Sequence, residues 1–292
     1  MPNAVLGDAL RGGIVFKLSP TGAETILYNF CALSGCADGN QPLAGLIPDK
    51  MGNLYGTTAM GGTYNLGTVF RLTPSGVETV LHSFGGADGA VPWAGLVIDG
   101  RGNLYGTTYS GGDLSLCGGQ GCGTVFKVTP NGTESVLYSF CSQQGETCTD
   151  GTNPRVSLLL DSKGNLYGTA DLGGTTGNGI VFRISPKGVE TVIHSFAGYP
   201  DDGGRPIAGV IMDSVGNLYG TTYQGGTDND GSVFEISRTG AVSLLHSFSD
   251  DGNDGFWPAG NLLLDSAGNL HGTASYGGAD HSGGGIAFTI TP

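Results

Sequence analysis

Charge is scarce in this chain, and positive charge most of all. Asp, Glu, Lys and Arg make up only 13% of it, and 12 Lys and Arg stand against 25 Asp and Glu, for a formal charge of −13. Such a field repels a nucleic-acid duplex or an anionic membrane surface, so neither is expected as a partner. Long apolar runs are missing as well. None approaches the ~20 residues a membrane helix needs, so membrane insertion is not expected. The start, Met1-Pro2-Asn3-Ala4-Val5-Leu6, has no basic segment leading into an apolar stretch, so no signal peptide is expected within this chain. Helix formers such as Lys, Glu and Gln are few, and no segment sustains a helical period. Three catalytic signatures are also absent: the Gly-x-Ser-x-Gly elbow, the His-Glu-x-x-His zinc motif and the Gly-Lys-Ser/Thr phosphate loop. The acidic stretches Asp228-Asn229-Asp230-Gly231 and Asp250–Gly255 lack the EF-hand spacing and its closing Glu. These absences exclude particular machineries. They leave open catalysis by residues drawn from several repeats.

Glycine is abundant, with 56 residues, yet it has no three-residue period and 38% of the chain is apolar. The glycines punctuate short strand-like runs, as tight turns require. Self-comparison shows why. Gly-Asn-Leu-Tyr-Gly-Thr begins at Gly52, Gly102, Gly164 and Gly216, and returns at Gly268 with His271 in place of Tyr. A strand carrying Phe recurs at Phe16, Phe70, Phe126, Phe182, Phe234 and Phe288, at spacings of 52 to 56 residues. A second series ends strands at Phe30, Phe84, Phe140, Phe196 and Phe248. Each unit reads as four short strands, in the second full unit Ala94–Asp99, Asn103–Thr108, Gly123–Thr129 and Glu134–Phe140. Two connections are uniform hairpins: Asp-x-x-Gly-Asn (from Asp49, Asp99, Asp161, Asp213 and Asp265) and Thr/Ser-Pro-x-Gly, as at Thr73-Pro74-Ser75-Gly76. Four-stranded antiparallel units at this period are blades of an all-β β-propeller. The expectation is one propeller domain over residues 1–292, built from ~54-residue repeats. Five blades are favoured, closed by strands from both termini, with a sixth, incomplete blade as the alternative.

The run Gly67-Thr68-Val69-Phe70-Arg71-Leu72-Thr73-Pro74, followed by Glu78-Thr79-Val80-Leu81-His82-Ser83-Phe84, Asp88-Gly89, Pro92, Ala94-Gly95-Leu96, Gly102-Asn103-Leu104-Tyr105-Gly106-Thr107-Thr108 and Gly111-Gly112, resembles the GloVer tandem-repeat family. The Asp-x-x-Gly-Asn-Leu-Tyr segment is similar to NHL-type propeller blades. The resemblance implies a bacterial, often surface-associated repeat protein, and it supplies no catalytic residues to carry over.

Six cysteines fall into three close pairs, Cys31/Cys36, Cys117/Cys122 and Cys141/Cys148, all in stretches where one repeat is longer than its siblings. Disulfides clamping long loops fit that placement and imply an oxidising, extracytoplasmic setting, secreted or at the cell surface. Free or metal-binding thiols are the alternative, although the spacing is not the CxxC of zinc sites.

Length variation and the cysteine pairs fall on the side opposite the uniform hairpins, where function usually sits. Three sets of residues belong there. Asp38, Asp88, Asp150, Asp202 and Asp254 each precede a Gly, and such carboxylates can hold a cation such as calcium or form the loop's own turn bonds. No cofactor is certain. Leu43, Trp93, Arg155, Ile207 and Trp257 flank the following Pro, and the Trp and Arg side chains suit stacking on sugar rings and bonding to hydroxyls or carboxylates. Ala59, Tyr109, Asp171, Tyr223 and Ser275 follow Gly-Thr-Thr or Gly-Thr-Ala. The binding candidates are therefore Trp93, Tyr109, Arg155, Tyr223 and Trp257. Asp171 and the adjacent pair Asp280 and His281 are the candidates for acid–base work. His82, His194 and His246 share a strand position with Tyr28 and Tyr138, which reads as packing. The leading expectation is an extracytoplasmic binding propeller that recognises a glycan or a protein. A hydrolase or lyase acting on a carbohydrate or ester, and a purely structural repeat module, are the alternatives.

Overall fold

The computed structural model describes residues 12–142, 148–251, 254–278 and 284–292. The chain divides into two compact units, Met1–Ser139 and Phe140–Pro292. The first holds a strand pair, Ile14–Leu18 with Glu24–Asn29, then two four-stranded antiparallel sheets. In the first sheet the strands are Ile47–Pro48, Leu54–Thr58, Thr68–Leu72 and Glu78–Ser83. In the second they are Val97–Ile98, Leu104–Thr108, Thr124–Val128 and Glu134–Ser139. Each pairs in chain order.

The second unit repeats the plan. A third sheet is built from Leu159–Leu160, Leu166–Ala170, Ile180–Ile184 and Glu190–Ser195, and a fourth from Ile211–Met212, Leu218–Thr222, Ser232–Ile236 and Val242–Ser247. In the fifth, Leu270–Gly277 pairs with Leu263–Leu264, with Ile286–Ile290 and with Gly255–Pro258. The all-β, propeller-like repeat is thus present in four complete sheets, one sheet with the first three repeat strands, and the N-terminal pair.

The first strand of every sheet is shorter than expected, two residues where the pattern suggests six. Its entry is held from elsewhere. Thr57 Oγ1 donates to the Ala94 carbonyl at 2.8 Å, and Thr169 Oγ1 to that of Ala208 at 2.9 Å. A threonine on one sheet therefore satisfies the incoming backbone of the next, and ladder pairing is not needed there. The neighbouring threonine, Thr58, bonds Thr68 across the strand pair at 2.8 Å, as Thr108 bonds Thr124. The doubled threonine has two separate tasks.

Sheets within a unit pack through paired phenylalanines. The Phe closing one sheet meets, edge to face, the third-strand Phe of the next: Phe30 on Phe70 at 4.8 Å, Phe84 on Phe126 at 5.1 Å, Phe196 on Phe234 at 5.1 Å and Phe248 on Phe288 at 5.1 Å. The third-strand Phe stands over the glycine of Leu-Tyr-Gly-Thr. A Cβ on Gly168 would lie 2.7 Å from Phe182 Cζ and 2.9 Å from Leu158 Cδ2, so only glycine fits. The repeated tyrosine also has a definite role. Tyr105 Oη donates to Asp99 Oδ2 at 3.0 Å, while Asn103 Nδ2 and the backbone N–H groups of Arg101 and Asn103 donate to the same carboxylate. Burial, then the bond to Asp99, pushes Tyr105 up to about 12. His271 fills this place in the fifth sheet, with Nε2 3.1 Å from Asp265 Oδ2.

Candidate functional site

At the sheet ends opposite the hairpins, each repeat holds one non-glycine residue in the left-handed region just before its Pro. These are Gln41 (φ 59°), Val91 (φ 56°), Asn153 (φ 58°), Arg205 (φ 53°) and Trp257 (φ 57°). The conformation is unfavourable, most of all for β-branched Val91. Bonds on both sides impose it. The Val91 N–H donates to the Leu66 carbonyl at 2.9 Å, and the Val91 carbonyl accepts from Tyr109 N at 3.1 Å. Arg205 is clamped the same way between Asn178 and Tyr223. The residue before Pro is thereby set beside the residue that ends the second strand.

In the first unit this brings Trp93 onto Tyr109, with ring centroids 4.3 Å apart and planes 31° from parallel. Leu43 is exposed and Ala59 buried at the equivalent places. In the second unit the residues form a continuous run. Asp171, only 2% exposed, accepts from Arg155 Nη2 at 2.8 Å and from Arg205 Nε and Nη2 at 3.0 Å each. The carboxylate fixes both guanidinium groups while leaving each partly open to solvent. Arg155 Nε is buried and has no hydrogen-bond partner. The Arg205 carbonyl accepts from Tyr223 N, and Tyr223 stacks on Trp257 at 5.4 Å with planes 30° apart. Phe256 and Tyr276 extend the aromatic edge, stacked on each other at 5.4 Å.

Arg205, Phe256 and Tyr276 did not emerge from the sequence reading. Arg205 had a detectable sign, since Arg205-Pro206 and Trp257-Pro258 share one repeat position. Ile207 is half-buried, and Ser275 is exposed. Asp280 and His281 lie outside the described residues.

The five Asp-Gly carboxylates are engaged locally. Asp38 Oδ2 accepts from Tyr28 Oη and Ala32 N, both at 2.9 Å. Asp88 Oδ2 lies 2.8 Å from His82 Nε2, and Oδ1 accepts from Gly85 N. Asp150 accepts from Ser142 N and Oγ. Asp202 and Asp254 pair with His194 and His246 at 2.9 and 2.8 Å. The His/Tyr strand position therefore supplies a donor to the loop carboxylate as well as packing on the Phe two residues later, as His82 does on Phe84 at 4.9 Å.

A second carboxyl joins three of these sites. Burial, with the charge of Asp88 adding to it, pushes Glu134 up to about 7, and Glu78 and Glu190 stand likewise at about 7 beside Asp38 and Asp150. One ligand-type atom from each of His82, Asp88 and Glu134 lies within 4.8 Å of the others. Glu78 Oε1, Glu134 Oε1 and Glu190 Oε1 are each buried without a hydrogen-bond partner. A proton held on the Glu lets it donate to the neighbouring Asp, so the arrangement suits carboxyl–carboxylate pairs at sheet junctions.

Cys31–Cys36, Cys117–Cys122 and Cys141–Cys148 are disulfide-bonded. No helix among the described residues is long and apolar enough to cross a membrane.

Comparison with solved structures shows a likeness to the extracellular domain of a protein assigned as a hybrid two component system from B. thetaiotaomicron, at 13% identity and TM-score 0.52, covering 95% of this chain and 33% of that one. A gluconolactonase from Xanthomonas campestris is 16% identical with TM-score 0.48, covering 83% of this chain and 73% of that one. At 13% identity the first likeness is one of fold. No curated protein matches. The Gloeobacter/Verrucomicrobia repeat matches residues 5–200 and 117–292. Those two overlapping matches run almost end to end, and the chain belongs to the Gloeobacter/Verrucomicrobia repeat family.

Proposed function

We propose that this chain is an extracytoplasmic binding module of propeller type that recognises a glycan through the loop-side rim of its second unit. The observation that carries the reading is the Arg155–Asp171–Arg205 cluster running into the Tyr223–Trp257 stack. Two guanidinium groups held by one buried carboxylate present fixed donors to hydroxyl or carboxylate oxygens. Partly exposed aromatic faces beside them suit the apolar face of a sugar ring. Ordering costs are low, because the rim is built on strained, doubly clamped backbone. Trp93 on Tyr109 is a smaller aromatic platform of the same kind in the first unit.

Three disulfides support the extracytoplasmic setting, since such bonds persist in oxidising compartments. The closed five-blade ring, with strands from both termini completing the last blade, is part of this proposal. It rests on the fifth sheet's three repeat strands and on the N-terminal pair, whose Glu24–Asn29 matches a fourth strand.

The test is a thermal-shift screen against a glycan panel, with calcium and EDTA as separate arms, on the wild type, Trp257→Ala and Trp93→Ala. A ligand of the folded state raises the melting temperature by mass action. A glycan shift lost in Trp257→Ala supports the rim. A shift lost only in Trp93→Ala moves the site to the first unit, and no glycan shift at all removes the reading. Assay of the responding glycan for turnover then separates binding from hydrolase or lyase action.

A further inference from the structure

The hairpin end of the second unit carries a different feature. A cleft of about 460 Å³ opens there between the third and fourth sheets. Lys163, Arg183 and Arg238 line it, three of the chain's 12 basic residues. Among the described residues none of the three is ion-paired. One carboxylate stands in the wall, Asp161, which accepts from Lys163 N, Asn165 N, Asn165 Nδ2 and Tyr167 Oη, so the lining carries three cations against one anion. Met212 and Val215 supply apolar wall.

The repeat provides its own control. At the matching place between the first and second sheets lies a cleft of about 540 Å³, lined by Lys50 and Arg101 but also by Asp49 and Asp99, so that its charges balance. Pro130 of the third-to-fourth-strand turn lines that cleft, and Arg238 fills the same turn position in the other. Every other such turn carries Pro: Pro20, Pro74, Pro130 and Pro186. Proline pre-sets the turn and lowers the entropy of the unfolded chain, so Arg238 gives up a small stabilisation. It places a third cation in the cleft instead, anchored by its N–H donating to Asn217 Oδ1 at 2.9 Å.

We infer that this cleft is an anion site, taking a phosphorylated small molecule with an apolar body. Arg offers paired donors and Lys a point charge to phosphate oxygens, and the apolar wall receives the remainder. In a chain of charge −13, a local excess of cation is the means by which such a ligand is attracted at all.

The experiment titrates the whole chain with phenyl phosphate, inorganic phosphate and phenol by isothermal calorimetry at low salt. It uses the wild type, Arg238→Pro and Lys163→Gln. Phenyl phosphate should bind more tightly than either fragment, and each variant should weaken it about tenfold. Arg238→Pro restores the turn residue of the other repeats but gives up the Arg238 N–H bond to Asn217 Oδ1, so its melting temperature is measured alongside, and Lys163→Gln, which keeps every backbone bond, carries the test if that temperature falls. Phenyl phosphate binding that is absent, matched by phenol, or unchanged in Arg238→Pro overturns the inference. Retention of glycan binding in Arg238→Pro shows the two sites to be separate.

Discussion

Replacing Glu134 by Gln should stabilise this protein at high pH and leave it unchanged at low pH. Burial and the Asp88 charge raise Glu134 from its ordinary 4.5 to about 7. The folded state thus holds a proton that the unfolded chain releases first. As pH climbs from about 4.5 to 7 the unfolded state gains stability relative to the folded one, and the folding free energy falls by the linkage relation. The full rise corresponds to at most roughly 3 kcal/mol. Glu134 is partly exposed, so screening reduces this to roughly 1–2 kcal/mol. A glutamine keeps the shape and a donor toward Asp88 without ionising. Urea unfolding of wild type and Glu134→Gln at pH 4, 6 and 8 reads the effect. The two should coincide at pH 4 and separate by roughly 1–2 kcal/mol at pH 8, the variant being more stable. His82, 2.8 Å from Asp88, is present in both proteins, so their difference isolates the Glu. Parallel stabilities across the three pH values would refute the buried-carboxyl argument. Glu78 and Glu190 should behave alike.

Gly168→Ala should cost about 1–3 kcal/mol, because its Cβ would press on Phe182 and Leu158 within the core, and an unchanged denaturation midpoint would contradict that packing. Asp171→Asn removes the charge shared by Arg155 and Arg205. Stability should drop by roughly 2 kcal/mol, less than for a fully buried pair, and the glycan-induced thermal shift should shrink with it. Replacing both Cys117 and Cys122 by Ser releases a short loop and should lower stability by roughly 2 kcal/mol, a difference from the wild type that reducing agent, which opens all three disulfides, should abolish.

Much of the fold was legible because each repeat is a local device. The turn pairs Asp99 with Asn103 and Tyr105 within six residues, so the same short motif wherever it occurs builds the same hairpin. The phenylalanine series and the repeated threonines marked strand positions, but not that Thr57 reaches the backbone near Trp93. The histidines were read as packing alone. Their bond to the loop aspartate joins residues six to eight apart across a turn of variable length, for which no spacing rule exists. Arg205 was missed because its partner Asp171 is 34 residues away.

The sequence by itself determined the all-β class, the repeat length, the hairpins and the cysteine pairs. All of these rest on contacts between near neighbours or on a period that recurs. Only the tertiary structure decided which aromatic and charged residues share a surface, that the acidic loops bond to themselves, and that Lys163, Arg183 and Arg238 line one cleft. The physical reason is the blade plan itself. Side chains from successive sheets meet roughly one repeat apart, and at that distance in the chain the identity of a residue says nothing about what lies opposite until the sheets are packed.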